Sequence, residues 1–400
     1  MTMRQDGRHG PGGGDAGSPS PQALLEAHAP DLLDRVAAAA SLDDLAAALG
    51  ADGRGSGGSG PEGGGHARLV RTLAASGTPV AALSRAVALL NDRVMERLYH
   101  LVLTPEQARS CCLIVMGSEG RAEQILKTDQ DNGLILPDGA DWPDLPGRLA
   151  AFSAGLARLG WPPCPGRVMV TNPAWVMTER QWQDAVRHWV RSPGEDGIMA
   201  VAIFADAAAV AGDAALLART RAVLLELIRG HTPFLWQFAR IALQFDTPLG
   251  WFGHLVTEGG EHRGRLDLKK GGIFPIVHGV RSLALEARLE GATNTLDRIG
   301  LLVEAGKLDG VTAAELRRAF DVLVGLRLRT RLEGDAPVDT QGDGREDGRA
   351  DGRVGVGAVP DTLVTPARLS AADRDALRDA LRSVRRFKDL LSYHFHLAVL

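Results

Sequence analysis

The chain has 400 residues, of which 45% are hydrophobic and 24% are charged, and its formal net charge is −4. This length is enough for two or three domains with a sizeable core, and no run of about 18 apolar residues without a charge predicts a membrane span. The slightly acidic balance argues against a general nucleic-acid-binding protein, which is usually basic. Cys111, Cys112 and Cys164 lack metal-site spacing, and we interpret them as reduced and buried, as is typical of a cytoplasmic protein.

Three glycine-rich, polar segments are predicted to be disordered, because they cannot bury enough apolar surface to fold. They are residues 1–21, the linker 50–66 and the insert 334–358. The insert contains GDGREDGRADGR, in which the arginines oppose cation binding. We therefore interpret it as a flexible linker and not as a calcium loop.

Residues 22–105 are predicted to be helical. Alanine and leucine recur at helical spacing, for example at Leu83, Val87, Leu90 and Val94. No catalytic motif falls in this region, and we expect it to serve in forming a homodimer or in docking a separate sensor protein.

Residues 106–213 change character and predict an α/β unit. Three apolar runs have strand-like composition: 112–116, 132–136 and 167–171. A helical segment, 149–159, lies between the second and third runs. Strands that alternate with helices indicate a sheet covered by helices.

Residues 214–400 are predicted to form a helical bundle. Thr312-Ala-Ala-Glu315 has the form of a capping box at the start of a helix, and Ser370 is placed to cap the last helix. Gly271 and Gly272 predict a close backbone approach between this bundle and the α/β unit.

The first motif with chemical content is Gly117-Ser118, directly after the first predicted strand. Backbone N–H groups at such a strand-to-helix turn, with a small hydroxyl, can hold nucleotide phosphates. The segment has neither the Gly-Lys-Ser/Thr of a Walker A loop nor the pattern GxGxxG.

The second motif is Asp129-Gln-Asp131, ten residues later and at the start of the second predicted strand. Residues two apart in a strand share a face, so the two carboxylates converge and repel each other unless a cation lies between them. Mg²⁺ suits this arrangement, because it binds one or two carboxylates together with phosphate oxygens, and Mn²⁺ is the alternative. Each motif alone is common, whereas their combination is rare.

The combination resembles the polymerase-beta-like nucleotidyltransferase superfamily. More narrowly, MGSEGRAEQILKTDQDNGLIL resembles a nucleotidyltransferase family that is often fused to sensor domains and is related to the N-terminal domain of PII-protein uridylyltransferase. The likeness continues through 164–175, 203–213 and 266–279, the last resembling that family's helical substrate-binding domain. It runs from about residue 70 to the end, apart from the insert.

The resemblance implies an α+β fold. A polymerase-beta-like core, with a small mixed sheet and helices in residues 106–213, would be flanked by the N-terminal helical region and by the C-terminal bundle. It also implies that Asp129 and Asp131 bind the metal and act in catalysis, and that Gly117 and Ser118 bind the nucleotide.

Four further residues complete the set that the resemblance implies. Arg121 and Glu123 are expected to support the nucleotide site from behind, with Arg121 reaching a phosphate or a carboxylate. The alternative is an ion pair exposed on a helix surface. Lys269 and Lys270 are candidates to pair with the triphosphate as point charges, with solvated lysines as the alternative.

A third carboxylate, common in polymerase-beta-type enzymes, is missing from the run 167–172. Asp206 is the expected substitute, because an unpaired carboxylate in an apolar run would be costly. The alternative is that Asp206 pairs with an arginine or caps a helix.

The leading functional hypothesis is a nucleotidyltransferase that moves a nucleoside monophosphate from an NTP to an acceptor. The acceptor implied by the resemblance is a regulatory protein, in a signal-transduction role like that of PII uridylyltransferase. The alternatives are a non-catalytic nucleotide sensor with the same fold and a tRNA nucleotidyltransferase, the latter opposed by the acidic net charge.

Overall fold

The computed structural model describes residues 19–50, 65–126, 129–250, 253–334 and 362–397. Most of the three segments predicted to be disordered lies outside the described residues. The first helix begins at Pro21 with the Ser20 side chain as its cap, so the predicted disordered segment 1–21 ends slightly too late.

Six helices form the N-terminal region. They are α1 (Pro21–His28), α2 (Leu32–Ala38), α3 (Leu42–Ala48), α4 (Gly65–Ala75), α5 (Val80–Val102) and α6 (Pro105–Ser110). The 23-residue α5 packs against α1 to α4 through a leucine- and valine-rich face. A capping box at Thr104 and Gln107 starts α6, which leads directly into the sheet. The helical prediction for this region is confirmed for its described residues.

The unit predicted to be catalytic, called the catalytic unit below, is built on a four-stranded mixed sheet in the order β3-β2-β1-β4. Its elements are β1 (Cys112–Val115), α7 (Gly117–Gly120), β2 (Asn132–Leu136), α8 (Leu145–Arg158), β3 (Val176–Thr178), α9 (Glu179–Arg191), α10 (Glu195–Phe204), β4 (Ala208–Gly212) and α11 (Ala214–Leu227). The central strand β1 runs antiparallel to β2 and β4, and β3 runs parallel to β2.

Alternation along the strands places the sheet between two apolar layers. Cys112 and Ile114 face the layer formed with α9 to α11, whereas Leu113 and Val115 face α5 and α8. Both faces of the sheet are therefore buried, which explains why β1 and residues 134–136 of β2 are continuous apolar runs.

The third predicted strand, 167–171, is wrong. Arg167 has a left-handed φ of 55°, and Asn172 N–H donates to the Met169 carbonyl, so the chain turns at both ends of the run. The Asn132 side chain accepts a hydrogen bond from Val170 N–H instead of continuing a strand ladder. The strand that pairs with β2 comes later, at β3.

The C-terminal part is a helical bundle with a short two-stranded ribbon. Its elements are α12 (Thr232–Arg240), β5 (Leu266–Asp267), a π-helical turn (Lys269–Ile273), α13 (Phe274–Glu286), α14 (Thr295–Glu304), α15 (Gly310–Gly334), β6 (Leu363–Val364) and α16 (Ala371–His394). The long helices α15 and α16 pack along each other, and α13 packs on both α14 and α16.

The two predicted caps have different outcomes. Ser370 caps α16 by accepting from Asp373 N–H, as predicted. The capping box at Thr312 is wrong, because α15 begins earlier, and Asp309 accepts from the N–H groups of Val311 and Thr312.

Candidate functional site

The Gly117-Ser118 turn lies directly against Asp131. Gly117 has a left-handed φ of 58°, and a Cβ atom there would lie 2.6 Å from the Asp131 Oδ2 atom. Met116 N–H donates to the Asp131 carbonyl, which ties the turn to the start of β2. The glycine therefore permits both the turn and the close approach of the carboxylate.

Asp129 and Asp131 converge, as their spacing predicts, and a third side chain joins them. Within the described part of the chain, one ligand atom each from Asp129, Asp131 and Cys164 lie within 4.8 Å of one another. Two carboxylates and a thiol at this separation fit a divalent cation. The residues between and after the aspartates, Gln130 and Asn132, point the other way into the protein.

The Asp131 carboxyl is electrostatically strained. Burial and the neighbouring charge of Asp129 raise its pKa from 3.8 to about 6, although a hydrogen bond from the Cys164 thiol and the charges of Arg121 and Lys269 oppose this. Burial, and then the charge of Asp131, raise the pKa of Cys164 to about 11. A bound cation would relieve the repulsion within this cluster.

Asp206 lies in a different environment from the aspartate pair. It is fully buried at the turn between α10 and β4, and its two oxygens accept hydrogen bonds from three arginines, Arg121, Arg281 and Arg298. Burial raises its pKa, but the charges of Arg281, Arg121 and Arg298 outweigh this and hold the pKa well below its usual range. The structure thus places it in an arginine cluster, the alternative weighed from the sequence, and not within the group formed by Asp129, Asp131 and Cys164.

Arg121 and Glu123 form an ion pair that is buried at the junction with the C-terminal part. Arg121 Nε donates to Glu123 Oε2 at 2.6 Å, and Glu123 Oε1 accepts from Thr295 N–H at 2.7 Å at the start of α14. Burial lowers the pKa of Arg121, but the charges of Glu123 and Asp206 outweigh it and raise the pKa. Both side chains also line the cavity described next, where the nucleotide was expected.

A cavity of about 700 Å³ lies between the catalytic unit and the helical bundle. Gly117, Ser118, Asp129 and Asp131 line the side formed by the catalytic unit. The bundle contributes cationic side chains, namely Lys269 from the π-helical turn and Arg327 and Arg331 from α15. An apolar wall completes it, formed by Met199, Ile203, Ile273, Phe274, Val277, Val324 and Leu328.

The two adjacent lysines are separated by the structure. Lys269 lines the cavity, whereas Lys270 is not among the residues that line it and is largely exposed, with Nζ 3.9 Å from Asp267. Lys270 is therefore not brought to the site by this geometry. Adjacent residues of a helical turn point in different directions, so one lysine can face the cavity while the next faces solvent.

Gly271 and Gly272 do mark a close approach, but the predicted partner is wrong. Added Cβ atoms would lie 2.4 Å from Pro248 Cδ and 3.0 Å from Leu323 Cδ1, and both partners belong to the C-terminal part. The glycines therefore pack the π-helical turn within the bundle and not against the catalytic unit.

Three residues that sequence reasoning did not select are Cys164, which lies beside the aspartate pair, and Arg327 and Arg331, which line the cavity. Cys164 lay inside a segment that carried the resemblance, but a single cysteine without a partner spacing gives no metal signal. Arg327 and Arg331 are four residues apart on α15, so they share a helix face. Many helices have such a pair, and only the fold brings this one to the cavity.

Two family models match the chain. The model of the family described as putative nucleotidyltransferase DUF294 matches residues 65–196. A second model, described as putative nucleotidyltransferase substrate binding domain, matches residues 232–341 and 352–395. No curated protein matches the chain. Among the described helices, none is both long enough and apolar enough to cross a membrane.

The two matches together cover well over half of the chain, in the order expected for the family. They confirm the resemblance and the α+β class, with the aspartate pair inside the first match and the cationic wall inside the second. The chain belongs to the DUF294 family of nucleotidyltransferase-type proteins, and it carries the family's substrate-binding helical domain.

Proposed function

We propose that the protein transfers a nucleoside monophosphate from an NTP to an acceptor hydroxyl, using a divalent cation, Mg²⁺ or Mn²⁺. One observation carries the proposal: the Gly117-Ser118 turn and the convergent pair Asp129 and Asp131 face a cationic wall across one cavity. A cavity of about 700 Å³ is within the range that ligand sites of roughly 300–1,000 Å³ occupy.

The aspartate pair would hold the cation, and the turn would hold the phosphates. When bound, the cation neutralises charge on the carboxylates and phosphates and stabilises the pyrophosphate leaving group. Gly117 and Ser118 offer backbone N–H groups and a hydroxyl beside the carboxylates. The turn would thereby hold the α-phosphate beside the two carboxylates that would hold the cation, which is the positioning that this reaction needs.

The opposite wall supplies positive charge for the rest of the triphosphate. Arg327 and Arg331 reach the cavity from one face of α15, and Lys269 reaches it from the π-helical turn. Arginine binds phosphate oxygens in a bidentate manner and lysine acts as a point charge, so the three side chains suit the β- and γ-phosphates. The apolar wall around Phe274 and Val277 would contact the base.

Asp206 and Glu123 take positioning roles in this proposal. Asp206 orients Arg121 and Arg281, both of which line the cavity, and Glu123 orients Arg121 from the other side. Lys270 has no role in it, because its side chain points to solvent.

The reaction balances without a further reactant. The acceptor oxygen forms a bond to the α-phosphorus, the bond from that phosphorus to the bridging oxygen of pyrophosphate breaks, and the hydroxyl proton passes to solvent. A regulatory protein is the acceptor we propose, by analogy with PII uridylylation. Cytoplasmic location and a signalling role belong to the same proposal.

A second candidate is a nucleotide sensor without catalysis. The observation in its favour is that, among the described residues, no third carboxylate joins Asp129 and Asp131, and Asp206 is neutralised by arginines. A sensor would use the same cavity and cation but would transfer nothing.

Incubation with each of the four α-labelled NTPs, a divalent cation and a lysate of the source organism tests the proposal. We expect label on a macromolecule with the wild type and none with the Asp129→Asn/Asp131→Asn variant. Asp184→Asn, a change at an exposed carboxylate paired with Arg187, is the matched control and should label normally. Nucleotide binding without any transfer would favour the sensor.

A further inference from the structure

The third member of the ligand cluster is a thiol where a carboxylate is commonly found. Cys164 is more than nine-tenths buried, and its thiol donates a hydrogen bond to the Asp131 carboxylate. Its sulfur lies within 4.8 Å of carboxylate oxygens of both Asp129 and Asp131. A buried thiol directed at two acidic side chains is not explained by packing alone.

The loop that carries Cys164 is fixed to the segment around Asp131, directly before β2. On one side of Asp131, Gln130 N–H donates to the Pro162 carbonyl at 2.9 Å. On the other side, Asn132 N–H donates to the Val168 carbonyl at 3.0 Å, and the Asn132 side chain accepts from Val170 N–H.

The loop is also closed on itself by a tight turn. Arg167 N–H donates to the Cys164 carbonyl at 2.9 Å. Both arms of the loop are hydrogen-bonded to the segment around Asp131. The sulfur is therefore held beside the carboxylates before any ligand binds.

We infer that Cys164 is the third protein ligand of the proposed cation site and that the site therefore favours Mn²⁺ over Mg²⁺. On binding, the S–H bond breaks, a sulfur–metal bond forms and the proton passes to solvent. Carboxylates suit both cations, but a thiolate disfavours Mg²⁺, which demands oxygen ligands, and is accepted by first-row transition metals. The inference rests on the proposed function only in requiring a cation between the aspartates.

Titration of the full-length, nucleotide-free protein with Co²⁺ tests the sulfur ligand directly. We expect a near-ultraviolet sulfur-to-cobalt charge-transfer band that saturates at one Co²⁺ per protein and has the intensity of one sulfur ligand. Cys164→Ser should abolish the band, while a Cys111→Ala/Cys112→Ala variant, which keeps Cys164 as its one cysteine, should retain it. Thermal melting without metal checks that each variant is folded.

Metal affinities give a second measurement, in which the expected changes differ between Mn²⁺ and Mg²⁺. Cys164→Ser should weaken Mn²⁺ binding by at least about tenfold, since even outer-sphere partners of metal sites contribute about that much. Mg²⁺ binding should change far less. Cys164→Asp should instead strengthen Mg²⁺ binding, because it supplies the third oxygen ligand.

Three outcomes would overturn the inference. If Co²⁺ binds without the band, but only when both aspartates are present, the thiol is not a ligand and the proposed function still stands. If the band persists in Cys164→Ser, the sulfur comes from another residue. If no divalent cation binds to the wild type, the inference and the proposed function fail together.

Discussion

Replacing Asp131 with asparagine should stabilise the cation-free protein, although the change removes a proposed metal ligand. The folded state holds the pKa of this carboxyl at about 6, against an ordinary value of 3.8, because the group is buried and faces Asp129. At 1.36 kcal/mol per unit, ionising it in the folded protein costs about 3 kcal/mol. The neutral amide avoids that cost but accepts a weaker hydrogen bond from Cys164, so we expect a net gain of about 1–3 kcal/mol.

The sign of the pH dependence follows from the raised pKa. A carboxyl with a folded pKa above its unfolded pKa contributes most to stability below pH 3.8, and this contribution is lost as pH rises through about 6. The gain from Asp131→Asn should therefore be full at pH 8 and disappear near pH 4. Added Mn²⁺ should make the wild type more stable than the variant at pH 8, because it binds and stabilises the wild type and stabilises the variant far less.

Thermal unfolding followed by tryptophan fluorescence, with a chelator present, measures this directly. Each 1 kcal/mol shifts the midpoint by about 2–4 °C for domains of 150–250 residues. Asp184→Asn, an exposed carboxylate paired within its own helix, is the control and should leave the midpoint unchanged. A chelated Asp131→Asn protein that melts below the wild type at pH 8 would refute the reasoning, because the carboxylate would then be stabilising in the folded state.

Three further predictions follow from the same structure. Asp206→Asn should lower the melting midpoint at pH 7 strongly, because it leaves buried guanidinium groups without their anion. The expected loss of stability is about 3–5 kcal/mol, and a midpoint within about 2 °C of the wild type would contradict it. Arg327→Gln should weaken NTP binding about tenfold or more in a calorimetric titration, because Arg327 lines the cavity. Arg329→Gln, at an exposed position on the same helix, should not weaken it, and equal effects would show non-specific attraction. Gly117→Ala should abolish cation binding with the chain still folded, because its Cβ would lie 2.6 Å from Asp131 Oδ2; unchanged Co²⁺ binding would show that the turn can relax.

The parts of the fold that could be predicted are those fixed by local sequence pattern. The strands β1 and β2 are short apolar runs, and the helices of the N-terminal region repeat alanine and leucine at helical spacing. The convergence of Asp129 and Asp131 also follows from local geometry, because alternate residues of an extended segment share a face. In each case the information lies within a few residues along the chain.

The parts that could not be predicted depend on contacts between distant residues. The ion pairs of Asp206 with Arg281 and Arg298 join residues 75 and 92 positions apart, and no local pattern selects those two arginines from the many in the chain. The run 167–171 has the composition of a strand, but it turns at both ends, and Val170 N–H donates to the side chain of Asn132, 38 positions away. Cys164 enters the site for the same reason, because that loop is held beside β2.

The buried carboxylate of Asp206 also joins the two family modules physically. One of its guanidinium partners, Arg121, belongs to the first module, and the other two, Arg281 and Arg298, belong to the second. Cutting the chain between them would strand unpaired charges in apolar surroundings on both sides of the cut. We therefore expect the two modules to fold as one cooperative unit and not as independent domains.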